Sequence, residues 1–176
     1  MDYFQIIENN TALKTDIELL CDFRLDFSEL DTSLYGCPVD KYENFGADAS
    51  GGKFGFIGDG DTSSLPIGYI SSEDVVGKIA ENLSDFFHLI TFYPYWRALC
   101  SEKSLNNENW IAELESEQRE FDESYEQRQN SIAQQLQLDK NNYSLDDFRA
   151  VLLSEHKFFV HSPDGNNTPS TDLFCP

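Results

Sequence analysis

Phe45-Gly46-Ala47-Asp48-Ala49-Ser50-Gly51-Gly52-Lys53-Phe54-Gly55-Phe56-Ile57-Gly58-Asp59-Gly60 leads, after a short polar stretch, into Leu65-Pro66-Ile67-Gly68-Tyr69-Ile70 and then an apolar run that reaches Trp96. Residues 53–58 and 65–71 are rich in Phe, Ile and Tyr, and Asp59-Gly60-Asp61-Thr62-Ser63-Ser64 between them are turn formers, so the two segments read as a β-hairpin. Ser50-Gly51-Gly52 frees the backbone for positive φ, which suits a tight turn or bulge leading into a sheet. Val76, Ile79, Leu83, Phe86, Phe87 and Ile90 then recur mostly at three- and four-residue steps, while Lys78, Glu81, Asn82 and Asp85 fall elsewhere. That spacing predicts one amphipathic helix lying across the hairpin, with His88 at its solvent edge. Pro94 ends it near Tyr93, and Tyr95, Trp96 and Leu99 should close over its end.

Upstream of this stretch, Leu13, Ile17 and Leu20 predict a helix near residues 15–21, and residues 25–48, with Asp-rich turns and Pro38, read as a loop holding a short strand. Downstream, residues 107–138 contain no Pro or Gly and are rich in Glu and Gln, which predicts one long charged helix of up to about 30 residues. Trp110, Phe121 and Ile132 are spaced by eleven, as are Leu114, Tyr125 and Leu136. Eleven residues is close to three turns, so these six side chains would line one stripe, interrupted by Glu117, Gln118, Arg128 and Gln129. Such a helix packs on the domain only in part, or uses the rest of its stripe on a partner. Ser144 with Asp147 forms an approximate capping box that opens a helix over residues 144–156, followed by a strand at Phe158-Phe159-Val160, a turn at Ser162-Pro163-Asp164-Gly165-Asn166-Asn167 and a loose end. The whole reads as a single α+β domain over residues 1–176, with its core at 45–99.

The chain carries 32 Asp and Glu against 12 Lys and Arg, a formal charge of −20. Phosphate backbones are bound by the opposite sign, so direct nucleic-acid binding is not expected. A field this negative speeds encounter with a basic protein; it also simply keeps an acidic protein dispersed. Phe and Tyr number 14 and 8, which argues for an aromatic core rather than disorder. Cys21, Cys37, Cys100 and Cys175 are widely spaced and read as reduced thiols. Met1-Asp2-Tyr3-Phe4-Gln5 lacks the basic start and apolar run of a secretory leader, and no segment approaches the ~20 apolar residues of a membrane span, so a cytoplasmic location is expected.

The glycines and Lys53 invite a nucleotide reading, which the spacing opposes. Gly46 to Lys53 is one residue too long for a phosphate-binding loop, Phe54 stands where a metal-binding Ser or Thr is required, and Gly55, Gly58 and Gly60 miss the dinucleotide pattern. Asp59-x-Asp61-x-Ser63 begins like a calcium loop, but Ser64 and Ile70 occupy the places of its Gly and Glu. His156 and His161 bridge a helix end and a strand, with no Cys nearby in sequence. Cys100 and Ser101 have no local nucleophile motif around them, and adjacent Glu73 and Asp74 suit a helix start better than catalysis. No catalytic residue, cofactor or metal is therefore expected.

Asp48-Ala49-Ser50-Gly51-Gly52-Lys53-Phe54, Pro66-Ile67-Gly68-Tyr69 with Glu73 and Gly77, Ile79-Ala80-Glu81-Asn82-Leu83 with Phe86-Phe87, and Pro94-Tyr95-Trp96 resemble, in order and spacing, the core of the SUKH superfamily of bacterial immunity proteins, related to fungal cell-wall synthesis regulators. The resemblance covers about 50 residues; residues 1–40 and 107–138 depart from it. It implies an α+β fold with a mainly antiparallel sheet, no catalytic residues, and a cytoplasmic protein that neutralises a cognate toxin by stoichiometric binding. The partner would be a basic toxin, such as a nuclease, met by Glu113, Glu117, Glu120 and Asp122 of the long helix, by Asp59 and Asp61 of the hairpin loop, and by Glu73. The alternative is a non-enzymatic regulator or scaffold of the same fold, docking a housekeeping partner through the interrupted stripe; self-association stays open.

Overall fold

The computed structural model describes residues 1–73, 75–155, 157–161 and 169–174. In chain order the elements are α1 (Tyr3–Glu8), α2 (Thr11–Cys21), β1 (Arg24–Leu25), the single turn α3 (Thr32–Tyr35), β2 (Cys37–Pro38), β3 (Tyr42–Ala47), β4 (Lys53–Ile57), β5 (Ile67–Ile70), β6 (Val75–Ala80) and α4 (Leu83–Phe92). A 3₁₀ turn (Trp96–Leu99), α5 (Glu102–Leu105), α6 (Glu108–Phe121), α7 (Tyr125–Gln135), a second 3₁₀ turn (Lys140–Asn142), α8 (Leu145–Leu153), β7 (Val160–His161) and β8 (Thr171–Asp172) complete the fold. The main sheet runs β1-β3-β4-β5-β6-β8, antiparallel except for the β6–β8 pair, and β2 with β7 forms a small antiparallel ribbon. This is the α+β class with a mainly antiparallel sheet.

Alternation along the strands sends two sets of side chains to opposite faces. Phe54, Phe56, Ile67 and Tyr69 point to the helical side, where Phe23, Phe45, Phe86, Phe87 and Trp96 join them in one aromatic core. The rings meet mostly edge-on or tilted, as between Phe23 and Phe86 at 5.3 Å and Tyr69 and Trp96 at 5.3 Å, the arrangements that aromatic quadrupoles favour. A bulge at Phe45 sets both Phe45 and Gly46 on this side, and a Cβ at Gly46 would collide with the Phe23 ring. On the other face Ile57, Ile70 and Val76 meet Phe158 and Val160. There Gly55 and Gly68 lie opposite each other, with the Tyr42 ring over the first and Phe158 over the second.

The expected hairpin is β4–β5, and the helix expected at 15–21 begins earlier, at Thr11, capped by Asn10. Ser144 and Asp147 form a full capping box at the start of α8. The strand expected at Phe158-Phe159-Val160 is Val160–His161, while the turn expected over 162–167 lies outside the described residues. Residues 25–48, read as mostly loop, supply the six-residue strand β3, and α1 was not foreseen.

Two helix expectations are corrected. The amphipathic pattern beginning at Val76 is split: Val75–Ala80 is strand β6 and α4 starts only at Leu83, behind the Asn82 cap. Val76 and Ile79, which a helix would place on one face, sit in the two different hydrophobic clusters on opposite sides of the sheet. Ladder pairing with β5 outweighs the helical spacing, and the Ser71 hydroxyl, accepting from the amides of Glu73 and Val75, turns the chain into it. Glu73 is therefore in a strand–strand turn rather than at a helix start, and Asp74 lies outside the described residues.

The helix expected over 107–138 is two. The backbone at Asp122 turns extended, its side chain accepts from Ser124 N at 2.8 Å, and α7 starts in a new direction. A short carboxylate that satisfies a neighbouring amide replaces a helical hydrogen bond without any Pro or Gly. Asp122 also takes Arg128 Nε at 2.9 Å, and Arg128 reaches on to Asp16 of α2, also at 2.9 Å. Turned back in this way, α7 buries Tyr125 and Ile132, with Leu136 just beyond it, in the core that α2 and α4 share, and Phe121 is left 92% exposed at the end of α6. The substitution Asp122→Ala separates the two descriptions by its sign. It is expected to lower stability by about 1 kcal/mol in urea unfolding, whereas in a continuous helix Ala would stabilise.

Candidate functional site

The glycine turn that opens the hairpin does hold an anion, and the anion is the chain's own Asp48. Asp48 is 1% exposed. Its Oδ1 accepts from Gly52 N at 2.7 Å and Ser50 Oγ at 2.8 Å; its Oδ2 accepts from the Tyr69 hydroxyl at 2.7 Å and Arg97 Nη2 at 2.8 Å. Gly51 supplies the positive φ of 95° that the turn needs. A Cβ at Gly52 would come within 2.5 Å of the Tyr69 hydroxyl and 2.6 Å of Asp48 Oδ2, so glycine is required by close approach as well. The Arg97 guanidinium lies 4.6 Å from the Trp96 ring centre and 5.3 Å from that of Tyr69, and also faces Asp22 at 3.6 Å. Both oxygens of the sealed Asp48 carboxylate are taken by donors from this chain, which makes the cluster a clasp between segments.

Burial alone would push the Asp48 carboxyl up; the hydrogen bonds from Tyr69 and Ser50, the Arg97 charge and the Gly52 amide outweigh it and hold it below the ordinary carboxylate range. Asp26 behaves alike: burial opposes, but Lys53 at 2.6 Å and Ser28 bring it from 3.8 to about 2. Asp85 goes the other way, raised chiefly by burial.

The acidic residues singled out in the sequence divide by what they do. Asp59 pairs with Lys41 at 2.8 Å on the surface, and Asp61 accepts from Ser63 N at 3.0 Å, bonding that lowers its carboxyl and shapes the hairpin loop. Asp122 stops α6. Glu73 is exposed in the β5–β6 turn. Glu113, Glu117 and Glu120 remain, all exposed and without ion pairs among the described residues, while neighbouring Arg119 is engaged by Glu115 and Glu126. Their steps of four and three place them on one stripe of α6, with Phe121 next to its end. The structure thus gathers three of the seven residues with an exposed aromatic that the sequence pattern had assigned to a buried or docking stripe.

Other candidate chemistry is absorbed by the fold. Cys100 is buried, its thiol pushed up to about 12 mainly by burial, and it points at the Trp96 carbonyl; Ser101 caps α5. His88, expected at the solvent edge, is 6% exposed, its Nδ1 against the Ser84 carbonyl at 2.8 Å and its ring covered by Phe92 and Tyr143. The segment after α7 folds over a position that the helix pattern alone leaves outside. His156 and Cys175 lie outside the described residues. Among the described residues no three His, Cys, Asp or Glu side chains gather as a metal would need, and no helix is long and apolar enough to cross a membrane. Scanned against protein-family models, curated proteins and solved structures, the chain matches none.

The depressed carboxyls set the acid limit of stability. A folded value below the unfolded one contributes stability that is complete above the ordinary Asp value and lost as pH falls through the folded value. Stability should therefore begin to fall below about pH 4, drop fastest between there and about pH 2, and level off once Asp26 has titrated. Tyr69→Phe removes a hydrogen bond to Asp48 and should cost about 1.5–3 kcal/mol at pH 7 and move the acid midpoint upward, as followed by near-UV circular dichroism. An unchanged midpoint would remove Asp48 from this account.

Proposed function

We propose that this chain is an immunity protein of the SUKH type, which neutralises a basic protein toxin by stoichiometric binding, without catalysis of its own. The observation that carries the reading is the stripe Glu113, Glu117, Glu120 with Phe121 at 92% exposure. Like charges four and three residues apart on a helix repel by a few tenths of a kcal/mol per pair, so these carboxylates do nothing for α6 in isolation. A basic surface laid against them would turn that repulsion into attraction. Phe121 would give the contact its apolar anchor, since aromatic side chains ringed by polar ones dominate binding energy at protein interfaces. The net charge of −20 adds long-range steering towards such a partner.

The resemblance of residues 45–96 to the superfamily core and the α+β fold support the same reading, and a cytoplasmic setting follows from it. A regulator or scaffold docking through the eleven-residue stripe has less to work with, because Tyr125, Ile132 and Leu136 are spent inside the fold.

The test is rescue. Products of genes adjacent to this one are expressed in a sensitive host with and without the protein; protection by the wild type is expected, and toxicity indifferent to it would sink the proposal. With the toxin in hand, Glu113→Gln/Glu117→Gln/Glu120→Gln should leave the unfolding midpoint unchanged or slightly raised and slow association by about tenfold at low salt, with the difference shrinking as ionic strength rises. Phe121→Ala should act on the dissociation rate instead.

A further inference from the structure

At the edge of the sheet beside β3, the loop before β2 and strand β3 enclose an open groove of about 500 Å³. Phe27, Leu30 and Pro38 give it apolar walls, with Phe27 55% exposed and resting edge-on against Phe4. Glu29, Asp40 and Glu43 add three carboxylates to the lining. None of the three has a cationic partner among the described residues, and Lys41, which feels the charge of Glu43, is drawn to Asp59.

Asn44 in the same lining is 6% exposed. Its Nδ2 donates to the carbonyls of Asp26 at 2.7 Å and Ser28 at 3.2 Å, which uses both amide hydrogens and fixes which way the amide faces. Asn44 thereby ties the loop at Asp26 and Ser28 to β3 and holds that wall of the groove in place, while its Oδ1 and the Tyr42 hydroxyl are sealed from solvent and take no part in the groove's surface.

We infer that this groove is a receptor for a guanidinium group, presented as an arginine side chain by a basic protein partner. Three unpaired carboxylates call for a cation, and the apolar walls favour a weakly hydrated, planar one over a compact ammonium. Guanidinium also carries five N–H donors in a fixed fork that can reach separate carboxylates at once. The exposed Phe27 ring offers a surface on which such a plane stacks. A metal ion fits less well, since no three ligating side chains converge among the described residues. The source of the arginine rests on the toxin-binding reading; the chemistry of the groove does not.

The test uses the whole isotope-labelled chain and three amides as probes: N-acetyl-arginine amide, N-acetyl-lysine amide and the neutral N-acetyl-citrulline amide. The arginine probe should shift the backbone amides of residues 27–30 and 40–44 saturably, the citrulline probe should not, and Asp40→Asn/Glu43→Gln should weaken binding by about tenfold. Asp40 and Glu43 are exposed, so the unfolding midpoint of that variant should match the wild type. Absence of saturable shifts at these amides, an equal response to the lysine probe, or unaltered binding by the variant would each overturn the inference. Groove binding and toxin rescue are read separately: loss of the first with rescue intact overturns only the groove, and the reverse overturns only the proposed partner.

Discussion

A carboxylate sealed from water must have its acceptor sites filled by the protein, and Asp48 is the point where four parts of this chain are made to agree. Its ligands come from the turn that follows β3, from β5, and from the 3₁₀ turn after α4, while Asp22 at the end of α2 joins through Arg97 and through the Ala49 amide at 2.9 Å. The geometry leaves no freedom at Gly52 and sets the Arg97 guanidinium beside the rings of Trp96 and Tyr69. The aromatic core beside it is thereby given a fixed edge. Hydrophobic burial supplies most of the stability of such a domain, but it is non-directional. The register of β4 against β5 and the seat of the Trp96 turn owe their definition to this directional cluster.

The same economy of cations shapes the outside of the molecule. With 12 Lys and Arg against 32 acids, the fold spends Lys53 on Asp26, Arg97 on Asp48 and Arg128 on Asp16 and Asp122, all joints between elements. Glu113, Glu117 and Glu120 on α6, and Glu29, Asp40 and Glu43 around the groove, are left without internal partners among the described residues. Each set has aromatic surface next to it, Phe121 in one case and Phe27 in the other. Acidic charge beside an exposed ring is a combination suited to recognising basic, partly apolar protein surface.

Much of the architecture was legible wherever a local rule and the tertiary context agreed. The β4–β5 hairpin, the capped α8 and the α2 helix follow from turn residues, a capping box and apolar spacing that their surroundings only reinforce. The misreadings fall where a side chain acts on the backbone without being Pro or Gly. At Asp122 and Ser71 a single oxygen captures nearby amides and turns the chain, and both residues are unremarkable in a search for breakers. Of the site residues, Glu113, Glu117 and Glu120 could be picked out as acidic and helical, but Asp59, Asp61 and Asp122 were indistinguishable from them until their local bonds were seen. Asn44 carried no sign at all, because the loop carbonyls it ties to β3 are brought to it only by the fold.

The sequence by itself determined the class of the fold, its aromatic core, its acidity and the glycine turn at its centre, since composition, period and turn chemistry are properties of neighbours along the chain. Only the tertiary structure decided what that glycine turn holds, that β6 is a strand and not the first turns of a helix, that residues 107–138 break at Asp122 so that α7 packs on α2, and that Phe121 stays in water. Those outcomes depend on pairings between residues tens of positions apart, such as Asp48 with Arg97 and Asp16 with Arg128, whose energies are absent from any local window.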